Sequence, residues 1–146
     1  LGVDHAGRIA KHRVSRRRAR EVAWSWVERL ELTDVADRIG GDLGAGLRRQ
    51  AEIARTLAAG AQIMLLDEPA AGLSGAEREE LSAILRTIAA EGKAILVTDH
   101  STDFLFSSVD EVVVMNFGKR LAAGTPGEVQ KDPEVIKAYL GGGSHG

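Results

Sequence analysis

Two places in the sequence gather side chains suited to phosphate chemistry. The apolar run Ile63 to Leu66 stops on adjacent carboxylates, Asp67 and Glu68, and a second run, "AILVT", stops on Asp99 and His100. Hydrolysis of a nucleoside triphosphate calls for a magnesium ion, a positioned water and donors that stabilise charge on the transferring phosphoryl group. An Asp at the end of a buried strand holds such a metal through its water shell, and a Glu immediately after it addresses the attacking water. Asp67 and Glu68 fit those two roles. His100, at the end of the next strand, is placed to reach the terminal phosphate. A lone Asp-Glu pair would as readily be an acidic loop exposing its carboxylates; the two apolar runs that end on polar pairs give this one its weight.

Placing those pairs requires particular elements. "QIMLLDEP" is short, apolar and closed by acids and a proline, which predicts a strand buried on both faces. Ser74 with Glu77 forms a capping box, Leu81, Ile84, Leu85 and Ile88 make the buried stripe of a helix, and Gly92 ends it. "AILVT" is then a second buried strand. A strand, a helix and a strand make a βαβ unit with parallel strands and a right-handed crossover, and such sheets bind ligands at the strands' C-terminal ends. Both polar pairs therefore belong on one rim.

Downstream, a short helix around Thr102 to Ser108 precedes a third strand, "EVVVM", which "NFGKRLAAG" turns into a hairpin through Gly118, adding an antiparallel edge to the sheet. Thr125, Pro126 and Glu128 start one helix; Asp132 and Pro133 start another, ended by Gly141. Upstream, Ala19, Ala23, Trp26 and Leu30 fall on one stripe of a helix over 15–30. Thr33 and Asp34 begin a short turn of helix, and the glycine-rich "GGDLGAG" leads into "LRRQAEIARTLAA", which stops at Gly60.

Composition narrows the function classes. A chain of 146 residues with a formal charge of -2 is long enough for one core and is not built to coat nucleic acid. The basic run "SRRRAR" reads as a solvated helix face beside an acidic partner surface. Absence of cysteine fits a reducing compartment. No apolar run approaches the roughly 20 residues that span a bilayer. His5, His12 and His145 lack metal-ligand spacing, and Trp24 and Trp26 read as packing and interface. The opening "LGVDHAGR" has no Met and the ending "GGGSHG" is linker-like, which suggests a piece of something longer.

These motifs together resemble the nucleotide-binding subunits of ABC transporters. "IMLLDEP" is similar to the Walker B strand with its catalytic Glu, "AAGLS" (Ala71, Gly72, Leu73 and Ser74 after Ala70) to the D-loop, and "VTDH" to the switch-histidine loop. "LGAGLRRQAEIARTL" stands where the signature motif and its helix belong, with Glu52, Ile53, Ala54 and Arg55 as anchors. "FGKRLAAGTPGEVQKDPEVIKAYLG" resembles the C-terminal end of the branched-chain amino-acid importer ATPases. The resemblance implies an α/β fold: a partial P-loop NTPase (RecA-like) core with a mostly parallel sheet, preceded by part of the ABC helical subdomain. Its implied division is 1–60 for the helical subdomain, 61–140 for the C-terminal part of the core, and 141–146 for a flexible tail.

By the same resemblance, Glu68 and His100 are catalytic, Asp67 holds Mg2+ through water, and Gly44, Ala45, Gly46 and Leu47 face the ATP of a partner subunit. The implied cofactors are ATP and Mg2+. The implied partners are a second ATPase subunit and an integral-membrane permease, which would hold the protein at the inner face of the cell membrane; nucleic acid is not expected. Three departures limit the carry-over. No GxxxxGK[ST] phosphate loop occurs in the sequence, so the chain alone is expected not to turn over ATP. The signature's usual Ser is Gly44 and its usual Gln is Leu47, which removes a hydroxyl donor but leaves the amides of Ala45, Gly46 and Leu47 facing out from a helix N-terminus. The D-loop's usual acid or amide is Ser74, which reads as a helix cap. The alternatives are a non-transport ABC protein acting on nucleic acid and a pseudo-ATPase that binds nucleotide as structural glue.

Overall fold

The computed structural model describes residues 15–139. His5, His12, His145, Gly141 and the tail 141–146 lie outside the described residues.

Helix α1 (Arg16–Arg29) starts at Ser15, whose hydroxyl accepts from the Arg18 N–H, and helix α2 (Ala45–Ala58) starts after Gly44. Strand β1 (Ile63–Asp67) leads through the Asp67-Glu68 turn to helix α3 (Gly75–Ala90), and strand β2 (Ala94–Thr98) returns parallel to β1, with Ile63 opposite Ala94 and Asp67 opposite Thr98. The capping box predicted at α3, Ser74 with Glu77, forms, and the helix start predicted at Thr125 proves to be a second one, Thr125 with Glu128 at helix α5 (Pro126–Val129); in each the partners lie within one helical turn. Gly60 and Gly92, just past the ends of α2 and α3, take φ of 86° and 84°, the left-handed turn that a side chain resists.

One apolar cluster joins Trp26 and Leu30 of α1, Ile53 and Leu57 of α2, and Leu85 and Ile88 of α3. On β1, Met64 points into it and is 2% exposed. Arg29 stacks on Trp26 at 4.6 Å and pairs with Glu91 at 3.0 Å, tying the end of α1 to the end of α3. The stripe predicted for α1 is buried only at its C-terminal end: Ala19 and Ala23 are exposed, while Trp26 and Leu30 join the apolar cluster.

Two further expectations are corrected. β1 and β2 are covered on one face only, because strand residues alternate sides and α2 and α3 pack on one of them; Ile63, Leu65 and Leu96 on the other are 68%, 74% and 61% exposed. The third strand, β3 (Val112–Asn116), pairs antiparallel with β4 (Lys119–Gly124) across a two-residue turn in which Phe117 and Gly118 both have positive φ. That hairpin is a separate two-stranded sheet and does not extend the parallel pair as an antiparallel edge. Between β2 and β3 lies a cleft of about 640 Å³, lined by Val97, Val112, Val114 and Ile136, with helix α4 (Thr102–Ser108) along one side. Helix α6 (Pro133–Tyr139) closes the described chain.

Candidate functional site

The C-terminal ends of β1 and β2 form the predicted rim. The Asp67 carboxylate accepts from the Thr98 hydroxyl across the strand pair, and the Glu68 N–H donates to the Thr98 carbonyl at 2.7 Å. Glu68 has φ of 45°, a left-handed conformation that is uncommon for a side chain with a Cβ. This turn lifts its carboxylate off the strand: the side chain is 60% exposed, with Oε1 3.9 Å from His100 Nδ1. His100 is 76% exposed, so both groups are open to a ligand. At 3.9 Å they are past hydrogen-bond length and near enough to share one small group.

Asp99 stands apart from its neighbours. Its side chain is 1% exposed and both carboxylate oxygens are engaged by backbone amides: Oδ2 accepts from Ala70 at 3.0 Å and Oδ1 from Ser101 at 2.9 Å. In the sequence it shows only as a polar strand end. Its partner Ala70 is far along the chain, and a Thr-Asp-His run gives no local sign of the contact.

The D-loop stretch continues from this turn. Ala71 donates to the Glu68 carbonyl at 3.1 Å and Leu73 to the Ala70 carbonyl at 3.2 Å. Leu73 is buried, whereas Ala71, Gly72 and Ser74 are exposed. Ser74 caps α3, as read from the sequence, with its N–H and hydroxyl both 2.8 Å from Glu77 Oε2.

The signature stretch departs from expectation at one residue. Gly44 and Ala45 are exposed at the start of α2, and Leu47 is half-buried, but Gly46 is buried and its N–H donates to Glu77 Oε1 at 3.2 Å. Its amide does not face out: the capping carboxylate of α3 reaches across to it. A Cβ on Gly46 would lie 2.8 Å from that oxygen, so a larger residue there would push the Glu77 carboxylate aside. Glu77 is held below the usual carboxylate range, first by the Ser74 N–H, then by the Ser74 hydroxyl, with Gly46 a lesser contributor. At Gly44 a Cβ would meet nothing within 4 Å, so no steric demand excludes a Ser there.

Asp67 fits a magnesium ion in chemistry. It is an exposed hard oxygen donor, and Mg2+ commonly takes one or two carboxylates while keeping waters and substrate oxygens. Among the described residues no three acidic or histidine side chains gather as an all-protein cage.

Comparison with known proteins agrees with the motifs. Residues 4–71 match the "ABC transporter" family model, and residues 119–145 match the model described as "Branched-chain amino acid ATP-binding cassette transporter". The chain is 42% identical over 130 residues to the high-affinity branched-chain amino acid transport ATP-binding protein BraF of Pseudomonas aeruginosa, covering 88% of this chain and 51% of that protein. It is 34% identical to the lipopolysaccharide export system ATP-binding protein LptB of Haemophilus influenzae, covering 84% and 51%. The crystal structure of the ADP conformation of an ATP-binding cassette of an ABC transporter superposes with a TM-score of 0.77 at 28% identity, covering 84% of this chain and 50% of that one.

The chain belongs to the ATP-binding cassette family of ABC transporters. Within that family its resemblance is to the branched-chain amino acid transport ATP-binding proteins. It spans about half the length of the curated relatives it matches. Among the described residues no helix is long and apolar enough to cross a membrane.

Proposed function

We propose that the chain is the C-terminal half of an ATPase subunit that couples ATP binding and hydrolysis to import of branched-chain amino acids, working as a dimer on a membrane permease at the inner face of the membrane. The observation that carries the ATPase reading is the rim: Glu68 and His100, 3.9 Å apart, exposed at the ends of two paired parallel strands beside Asp67; the cargo rests on the similarity to BraF. Asp67 would hold the magnesium ion, whose bound charge offsets that of the phosphates. Glu68 orients and accepts a proton from the attacking water, and His100 hydrogen-bonds the terminal phosphate. The exposed start of α2 at Gly44, Ala45 and Leu47, together with the D-loop residues Ala71, Gly72, Leu73 and Ser74, would face the nucleotide held by the partner subunit. Gly46 contributes by holding α2 close to Glu77 in place of offering its amide.

The phosphate loop is not in the sequence, so turnover belongs to a longer polypeptide that supplies it, and the chain alone should bind Mg-ATP weakly and not hydrolyse it. In that longer protein Glu68→Gln should lower hydrolysis by at least about 100-fold with nucleotide affinity unchanged, because general-base assistance is worth about 10²–10⁴-fold. Phosphate-release kinetics beside a nucleotide titration make the test, and unchanged turnover would remove Glu68 from the mechanism. Similarity to LptB supports a second reading of the cargo alone. Leucine-stimulated hydrolysis in reconstituted vesicles separates the two, since only the first reading requires it.

A further inference from the structure

We propose that Asp99 is a positioning residue: its buried carboxylate clamps the turn after Glu68 to the loop that carries His100, so the two exposed groups are held in register as one unit. The inference rests on the ATPase reading above. Three attachments join the ends of β1 and β2 here. Two of them, the Thr98 hydroxyl to Asp67 and the Glu68 N–H to the Thr98 carbonyl, act at the strand ends themselves. Asp99 alone of the three reaches past Pro69, to Ala70, and its other oxygen reaches past His100, to Ser101.

A carboxylate buried to 1% exposure is costly unless its lone pairs are satisfied. Here the oxygens accept from two backbone amides belonging to two different loops, with Oδ1 also 3.9 Å from His100 Nδ1, so the carboxylate fixes backbone against backbone beside the His100 ring. What it fixes is an uncommon conformation. Glu68 sits at φ 45°, and such a residue persists where its surroundings over-determine it. Upstream it is held by Thr98; downstream, the Ala71 N–H closes the turn on the Glu68 carbonyl and Asp99 anchors Ala70 inside it. The same carboxylate carries the base of the D-loop, so displacement of that loop is transmitted to the His100 loop through one side chain. Asn in its place keeps one acceptor and turns an NH2 donor toward an N–H donor, which breaks one of the two bonds. Ala breaks both.

The test uses the longer protein for turnover and this chain for geometry. In turnover per nucleotide-binding site, Asp99→Asn should lower kcat about 10-fold and Asp99→Ala about 100-fold, with KM for ATP and nucleotide affinity within about 2-fold of the parent, since neither Ala70 nor Ser101 is proposed to touch nucleotide. In a Glu68→Gln background the Asp99→Asn loss should shrink to under about 2-fold, because the clamp acts through Glu68. Simple destabilisation would multiply the two losses, and that outcome overturns the proposal. In the 146-residue chain, Asp99→Asn should speed amide exchange at Ala70 or Ser101 at least 10-fold and leave Leu85 in α3 unchanged; equal exchange at both loop amides also overturns it. If the unmodified longer protein does not hydrolyse ATP, the ATPase reading fails, and the exchange experiment still decides whether the clamp exists.

Discussion

Met64 and Leu65 are consecutive residues of one strand, yet the first is 2% exposed and the second 74%. The difference lies in what stands on each side. Toward Met64, α2 and α3 close over the strand pair and share an apolar cluster with the end of α1. Toward Leu65, the described residues bring no cover, and the register sets Leu65 directly beside Leu96 with Ile63 next along. Parallel strands are normally covered on both faces, and a contiguous exposed apolar patch marks a surface that meets something. The match covers about half the length of the curated relatives, and we propose that the polypeptide this chain does not span supplies the second cover. Burial is then a property of the assembled layers, while composition is written for the finished assembly.

The largest effect that could break this comparison comes from truncating neighbours on the two faces. Met64→Ala should cost about 2–5 kcal/mol, the usual range for emptying a buried site. Leu65→Ala should cost under about 0.5 kcal/mol in the same chain. Urea unfolding followed by circular dichroism measures both. Equal losses would mean that the Leu65 face is packed in solution, by a second copy or by the rest of the chain.

The next effect is on association. An uncovered apolar face beside an outer strand edge with neither proline nor charge over Ala94–Thr98 is a recruiting surface. The chain should therefore self-associate, and Leu65→Lys with Leu96→Lys should shift it toward monomer by at least about 10-fold in dissociation constant, read by sedimentation. Pairing of β3 directly with β2 would have closed that edge; the structure keeps them apart across the 640 Å³ cleft. A monomer at high concentration would show that the open edge and face are tolerated.

What the sequence made legible follows the range of the interactions. Ser74 with Glu77, Thr125 with Glu128, the glycine stops at Gly60 and Gly92 and the Phe117-Gly118 turn are each settled within a few residues. The parallel pairing of β1 with β2 was also legible, because a helix between two short apolar runs leaves little other geometry. Asp67, Glu68 and His100 came to one rim for that reason. The Asp99 contact to Ala70 and the Glu77 contact to Gly46 span 29 and 31 residues, and neither leaves a periodic or compositional trace. The bare face of β1 leaves no mark in the sequence, because Ile63 and Leu65 are as apolar as the residues that are covered.

The smallest effect concerns the polar seam on the covered side. Glu77 and Glu128 both cap helices from the third position, and both are held below the usual carboxylate range, chiefly by the cap residue's N–H and then by its hydroxyl. A carboxyl depressed in the folded state contributes stability that is fully present above its unfolded value, about 4.3 for Glu, and that is lost as pH falls through the folded value. Acid should therefore weaken both caps below about pH 4.3. They differ in reach: Glu77 also accepts from Gly46 and so joins α3 to α2, while Glu128 serves only the short helix after the hairpin. Gln in place of Glu retains one acceptor oxygen and cannot titrate, so Glu77→Gln should flatten the acid side of the stability curve. It should also loosen the start of α2, seen as faster amide exchange at Gly46. Glu128→Gln should flatten the curve without touching α2. If both variants leave Gly46 exchange equal, the seam between the two helices is held by apolar packing alone, and the covered side owes its cohesion to the layer that Met64 enters.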